Sequence, residues 1–269
     1  MDQNEFSSII DLITSQTGIV PRESHKTGIK NFIEKRINEI DLGGLPYSAY
    51  LRLNKAEFDI LINAATVNET YFFREEAQFS LLKEKLFPEL RAKLGTNALR
   101  IWSAAASSGE EIYSLYLLAQ SLGIKTEAFA SDINTCVLEK CAKGQYSPAS
   151  LKKTDGTKFH YLLANYQKVD KSVDFSPEFC KKIEKLQINL SDENANFPKN
   201  QHIIFMRNVF IYFTTEMRRQ ILEKIVNESL CDGGYLFLSM SEIASIDSSI
   251  LPKNLKKCSD GKVFYFQKK

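Results

Sequence analysis

From about residue 98 onward the chain alternates short β-rich runs with helical stretches, and that alternation constrains its fold more than any other feature. Candidate strands are Leu99 to Trp102, Glu127 to Ala130, Leu186 to Ile188, His202 to Met206, Tyr235 to Leu238 and Val263 to Phe266. Between them, helical stretches run from Glu110 to Leu122, Thr135 to Lys143 and Thr215 to Leu230. Strand and helix in alternation build a mostly parallel sheet covered on both faces. The last two strands follow Gly233-Gly234 and Asp260-Gly261 with no strong helix between them, which predicts an antiparallel hairpin at the C-terminal end.

The first 67 residues carry helical stripes instead. Phe6, Ile9, Ile10 and Ile13 fall on one face, as do Phe58, Leu61, Ile62 and Ala65, while Ile29, Phe32, Ile33, Ile37 and Ile40 continue the same spacing. Gly43-Gly44-Leu45-Pro46 separates two of these segments as a turn would. A small all-α domain over 1–67 is expected, then a linker and a linking helix over 68–97, and an α/β domain over 98–269. The linking helix spans Phe73 to Leu94, with a bend at Pro88. Residues 147–185, rich in lysine and broken by Pro148, Gly156 and Pro177, fit neither pattern and read as an inserted subdomain.

Composition removes several classes of function. With 35 basic and 33 acidic side chains the formal charge is +2, too little for a general polyanion binder, so no nucleic-acid partner is expected. No apolar run approaches the roughly 18 to 20 residues of a membrane span, and MDQNEFSS lacks a secretory pattern, which predicts a cytoplasmic protein without membrane insertion. Five cysteines without a C-x-x-C pair and three scattered histidines predict reduced thiols and no metal.

In a parallel sheet, ligands bind at the carboxyl ends of the strands. The first such turn, Ser103-Ala104-Ala105-Ala106-Ser107-Ser108-Gly109-Glu110-Glu111, is built of small residues that let backbone approach a ligand. It has no lysine for a β- or γ-phosphate. Glu110 and Glu111 either complement the dipole of the helix that starts there or face a ligand with an ammonium group or ribose hydroxyls. Asp132, at the tip of the second strand, either caps the next helix or accepts hydrogen bonds from a ribose diol. An acidic first turn together with Asp132 favours adenosine without phosphates, and S-adenosylmethionine is the common ligand of that kind.

Four segments are more specific. Asn68-Glu69-Thr70-Tyr71-Phe72-Phe73-Arg74-Glu75, IWSAAASSGEEIYS, ASDINTCVLEKCAKGQY and Arg207-Asn208-Val209-Phe210-Ile211-Tyr212-Phe213 resemble, in the same order, motifs of the chemotaxis receptor methyltransferase family, CheR. The resemblance runs almost along the whole chain. It implies a Rossmann-like domain with a mostly parallel seven-stranded sheet, and a protein-glutamate O-methyltransferase that converts S-adenosylmethionine to S-adenosylhomocysteine while methylating glutamates of methyl-accepting chemotaxis receptors. By motif position, Asn68, Thr70, Arg74, Glu110 (or Glu111), Asp132, Asn189, Leu190, Asn208 and Val209 should line the cofactor site. Arg74 suits the methionine carboxylate, because a guanidinium meets a carboxylate through two parallel hydrogen bonds; a salt bridge to Glu75 or Glu76 is its other reading.

No catalytic acid or base is expected. A glutamate with a pKa near 4.3 is already ionised at neutral pH, so the work left is alignment and exclusion of water. The resemblance also assigns the helix bearing Arg22, Lys26 and Lys30, spaced by four, as a docking face for acidic receptor helices, although residues 1–67 carry seven basic against nine acidic side chains. In some family members the inserted subdomain adds a strand from a receptor C-terminal peptide; here its sequence matches no such pattern. A monomer is expected. The competing readings are a nucleic-acid or small-molecule methyltransferase and a catalytically silent relative that serves as a signalling binding module.

Overall fold

The computed structural model describes all 269 residues. Four helices come first: α1 (Gln3–Thr17), α2 (Glu23–Ile37), α3 (Tyr47–Leu53) and α4 (Lys55–Ala65). Their stripes meet in a core of their own that contains Phe6, Ile9, Ile13, Ile29, Ile33, Leu61 and Ile62. The seven-residue α3 is too short to show a period, yet it supplies Tyr47 and Leu51 to that core. Ile40 lies beyond the end of α2, and packs from the connecting turn.

Across this bundle the buried Glu57 carboxylate accepts hydrogen bonds from Arg36 Nε and Nη2 at 2.8 and 2.9 Å and from the Tyr47 hydroxyl at 2.7 Å. The Arg36 guanidinium is the main cause that holds the Glu57 carboxyl below its ordinary value; burial opposes it and Tyr47 assists.

The linking helix begins later than its apolar pattern suggests. Phe73 and Glu75 take left-handed backbone angles, φ 56° and 61°, so helix starts only at Glu76. It runs as α5 (Glu76–Leu81), one π turn (Leu82–Leu86) and α6 (Phe87–Leu94). The bend at Pro88 takes the form of that π turn. Proline has no N–H for the carbonyl four residues back, and just before it the Phe87 N–H bonds to the Leu82 carbonyl, five residues back.

The α/β part contains β1 (Leu99–Ser103), α7 (Glu110–Ser121), β2 (Thr126–Asp132), α8 (Thr135–Lys143), β3 (Gln145–Tyr146), β4 (Val173–Asp174), α9 (Pro177–Cys180), β5 (Ile183–Gln187), β6 (Gln201–Phe205), α10 (Thr215–Lys224), β7 (Leu230–Phe237), α11 (Met240–Ser245), β8 (Leu255–Asp260) and β9 (Val263–Lys268). Seven strands form one sheet in the order β5-β2-β1-β6-β7-β9-β8; β5 through β7 pair in parallel, and β9 is antiparallel to both of its neighbours. One large core covers one face, with Phe79, Leu86 and Leu115, and a second covers the other, with Ile204, Leu222 and Phe266.

Three expectations need correction. The terminal hairpin is β8–β9, with β9 inserted between β7 and β8, because the Lys-rich Leu255–Asp260 segment also forms a strand along the edge, where charge is tolerated. A short helix, α11, does lie between β7 and β9. The inserted segment ends earlier than 185, since β5 begins at Ile183. That segment is largely 3-10 turns (Pro148–Ser150 and Thr157–Tyr166), with one antiparallel pair, β3–β4, of two residues a side. Phe159, Phe175 and Phe179 anchor it; the last two stack on Tyr113 of α7.

The Glu57 network carries a pH signature. A carboxyl held below its ordinary value of 4.5 contributes its full stabilisation above that value and loses it as pH falls through the folded-state value. Glu57→Gln should lower the melting midpoint at pH 7, and the gap to wild type should close on acidification below about pH 4; a constant gap would contradict this assignment.

Candidate active site

The connections place β2 on one side of β1 and β6 on the other, which opens a crevice beyond their carboxyl ends. A cleft with about 910 Å³ of empty space, open mouth included, occupies it and is lined by 23 residues.

Its floor is the turn after β1. Ser107 sits at φ 49° and Gly109 at φ 98°, and a Cβ added to Gly109 would stand 2.4 Å from Cys141 Sγ, so only glycine fits there. The helix α7 then begins, and its first two residues point about 100° apart. Glu111 faces the cleft, where its carboxylate accepts from Ser103 Oγ and Arg207 Nε, both at 2.6 Å. Glu110 does not line the cleft: it accepts from Ser108 Oγ at 2.7 Å and Ser150 Oγ at 2.9 Å, and burial pushes its carboxyl up. The first-turn acid of the site is therefore Glu111, a correction to the Glu110 assignment.

Asp132 reaches the cleft at the end of β2, about nine-tenths buried. Its oxygens accept from the backbone N–H of Ser107 at 2.9 Å and Asn134 at 3.0 Å, and burial outweighs these bonds to raise its carboxyl above 3.8. It is not the helix cap; Asn134 is, accepting from Val137 N–H. Each oxygen accepts one of these bonds and keeps lone-pair capacity for a further donor, such as a hydroxyl of a ribose.

Asn68, Thr70 and Arg74 line the cleft from the segment ahead of the linking helix. Arg74 donates to the Glu69 carbonyl at 2.9 Å and lies over the Tyr71 ring at 5.4 Å. It makes no ion pair, because Glu75 meets Arg207 and the Met240 N–H while Glu76 accepts from the Lys158 N–H. The salt-bridge reading of Arg74 is thereby removed, and its guanidinium retains donors for an anion. Asn189, Leu190, Asn208 and Val209 also line the cleft. Asn208 stands at φ 58°, a geometry that costs about 1–3 kcal/mol outside glycine. The buried Glu242 holds it, accepting the N–H groups of Asn208 and Phe210 at 2.8 Å each. Ser239 and Glu242 also form a capping box, and that S-x-x-E spacing is visible in sequence.

The N-terminal helices close the cleft, which sequence reasoning missed. Thr17 and Ile19 line it, the Gln16 carbonyl accepts from Asn189 Nδ2 at 2.9 Å, and the Val20 N–H bonds to the Tyr212 carbonyl at 2.8 Å. On the other flank Asn63 Nδ2 donates to Thr135 Oγ1 at 2.9 Å, and Asn134 Nδ2 donates to the Asn63 carbonyl at 3.0 Å. Of the basic stripe, Arg22 precedes α2 and is exposed, its guanidinium 5.8 Å from the Tyr212 ring centroid. Lys26 is half-buried and pairs with Glu23 at 2.5 Å, and Lys30 is half-buried.

A doubly wound sheet with its crevice at this switch point and no phosphate lysine has the architecture of an S-adenosylmethionine-dependent methyltransferase. The chain belongs to the CheR family: the family model described as CheR methyltransferase, SAM binding domain, matches residues 68–257. It is 34% identical to the chemotaxis protein methyltransferase of Salmonella typhimurium over 88% of this chain and 83% of that one. It is 33% identical to chemotaxis protein methyltransferase 2 of Vibrio cholerae over 91% and 88% of the two chains, and 30% identical to the chemotaxis protein methyltransferase of Borreliella burgdorferi over 95% and 94%.

Asp132→Ala should weaken S-adenosylmethionine binding by roughly 1–3 kcal/mol in calorimetry, through loss of a charged acceptor. Because burial raises the Asp132 carboxyl, wild-type affinity should begin to fall at a higher pH than an ordinary aspartate would give. Unchanged affinity in the variant would remove Asp132 from the site.

Proposed function

We propose that the chain is a protein-glutamate O-methyltransferase that modifies glutamate side chains of methyl-accepting chemotaxis receptors in the cytoplasm. The observation that carries this reading is the alignment over about nine-tenths of the chain with chemotaxis protein methyltransferases. The site chemistry supports it. Of the three carboxylates that line the cleft, Glu69, Glu111 and Asp132, Glu111 is tied to Ser103 and Arg207, and Asp132 accepts from two backbone N–H groups; a nucleophile that arrives ionised needs none of them as a base.

S-adenosylmethionine, when bound, supplies a methyl group activated by a sulfonium. That activation would let an ionised receptor carboxylate take the methyl group as an ester, with S-adenosylhomocysteine as the other product and no proton for this chain to move. In this reading Arg74 holds the methionine carboxylate, Asp132 the ribose diol, Leu190 and Val209 flank the adenine, and Asn68, Thr70, Asn189 and Asn208 complete the polar lining. Residues 68–97 join a docking domain (1–67) to the cofactor domain (98–269). Arg22, Lys26 and Lys30 face the acidic receptor helix, with Arg22 next to Tyr212 at the cleft. The enzyme acts as a monomer on a protein substrate, not on nucleic acid.

Incubation with radiolabelled S-adenosylmethionine and membranes that carry the cognate receptors should place a base-labile label on receptor glutamates; no label would contradict the activity. Lys26→Glu with Lys30→Glu should reduce receptor methylation several-fold and leave cofactor affinity unchanged, by reversing charge at the docking helix. Equal loss of both would overturn the docking role.

A further inference from the structure

We propose that Asp155, in the inserted segment, is a positioning residue for cofactor binding that acts through Tyr71 and the backbone of Glu75 on Arg74. The inference rests on the reading above in which Arg74 holds the methionine carboxylate, and extends it to a residue outside the cleft.

Asp155 does not line the cleft, yet its carboxylate takes three of its four hydrogen bonds from the segment that carries Arg74. Oδ2 accepts from the Tyr71 hydroxyl at 2.9 Å and the Glu75 N–H at 2.7 Å; Oδ1 accepts from the Glu76 N–H at 3.0 Å and the Gly156 N–H at 2.9 Å. Four donors converge on two oxygens, a geometry that an ionised carboxylate meets and an amide cannot. Although burial works the other way, the Glu76, Glu75, Tyr71 and Gly156 donors hold the carboxyl below its usual value, so it is charged at physiological pH. The Tyr71 hydroxyl is pushed up to about 12, by burial first and by Asp155 second, and donates throughout the same range.

These bonds fall where the chain needs restraint. Phe73 and Glu75 flank Arg74 at φ 56° and 61°, so Arg74 sits between two left-handed residues. The inserted segment grips this stretch at further points: Ser150 accepts from the Phe72 N–H at 3.0 Å, and a Cβ on Gly156 would stand 2.5 Å from the Phe72 carbonyl. Two cations, Arg74 and Lys152, each stand 5.4 Å from the centroid of the Tyr71 ring. Asp155 fixes the hydroxyl of that ring, and the ring fixes the guanidinium on its face. The insertion thereby sets the conformation of a cofactor-binding arginine.

The test is a double-mutant cycle on S-adenosylmethionine affinity, measured by calorimetry on the full chain. Asp155→Asn, isosteric but with an amide facing two donors, should weaken binding about tenfold, and Tyr71→Phe about threefold. In an Arg74→Ala background both should change affinity less than about twofold, because the residue they position is gone. Wild-type affinity in Asp155→Asn, with far-ultraviolet circular dichroism unchanged, would overturn the proposal. So would an equal loss in both backgrounds, which marks a general structural role. An Arg74→Ala variant with normal affinity would instead overturn the reading of Arg74 on which the proposal rests.

Discussion

The buried ion pair between Arg207 and Glu111 is the constraint on which the rest of the site depends. Arg207 leaves the end of β6, Glu111 opens α7 after β1, and their 2.6 Å contact spans the point where the sheet changes direction. The same guanidinium donates to the Arg74 carbonyl at 2.8 Å and to Gln78 Oε1 at 3.1 Å, and lies 5.1 Å from the Phe205 ring centroid. Three of the four family motifs thus meet at one side chain. Desolvating such a pair is expensive, and it is stabilising only when the remaining donors and acceptors are matched, as they are here by Ser103, Gln78 and the Arg74 carbonyl.

A clamp at this position suits the methyl transfer proposed above, which calls for no acid or base. The reaction needs two groups held in line and water kept out, so rigidity of the walls substitutes for proton chemistry. Left-handed Ser107 and Asn208 store strain on the two sides of the crevice, held by Asp132 and Glu242 respectively. The N-terminal domain completes the enclosure through Thr17 and Ile19, at and just beyond the end of α1, which makes it part of the cleft wall.

Much of this was legible in sequence, for identifiable reasons. Strands β1, β2, β6 and β9 and helices α7 and α8 announce themselves through apolar runs bounded by turns, and most cleft residues lie in long contiguous motifs. What escaped was set by tertiary context. Strand β8 is masked by its lysines, α3 by its length, and the start of the linking helix by Asp155 from a distant segment. Glu110 and Glu111 differ only in helical phase, and a shift of one residue decides which carboxylate faces the ligand. Closure by Thr17 and Ile19 depends on hydrogen bonds between residues far apart in the chain, such as Gln16 with Asn189, and no local pattern encodes it.

We propose that S-adenosylmethionine sits in the crevice between β1, β2 and β6, framed by the Arg207–Glu111 pair. The most direct test of this placement is a crystal structure with S-adenosylhomocysteine. The ribose hydroxyls should lie on Asp132, the carboxylate on Arg74 and the adenine between Leu190 and Val209, with Arg207 still bound to Glu111. A ligand bound elsewhere, or one that separates Arg207 from Glu111 to reach its place, would contradict it.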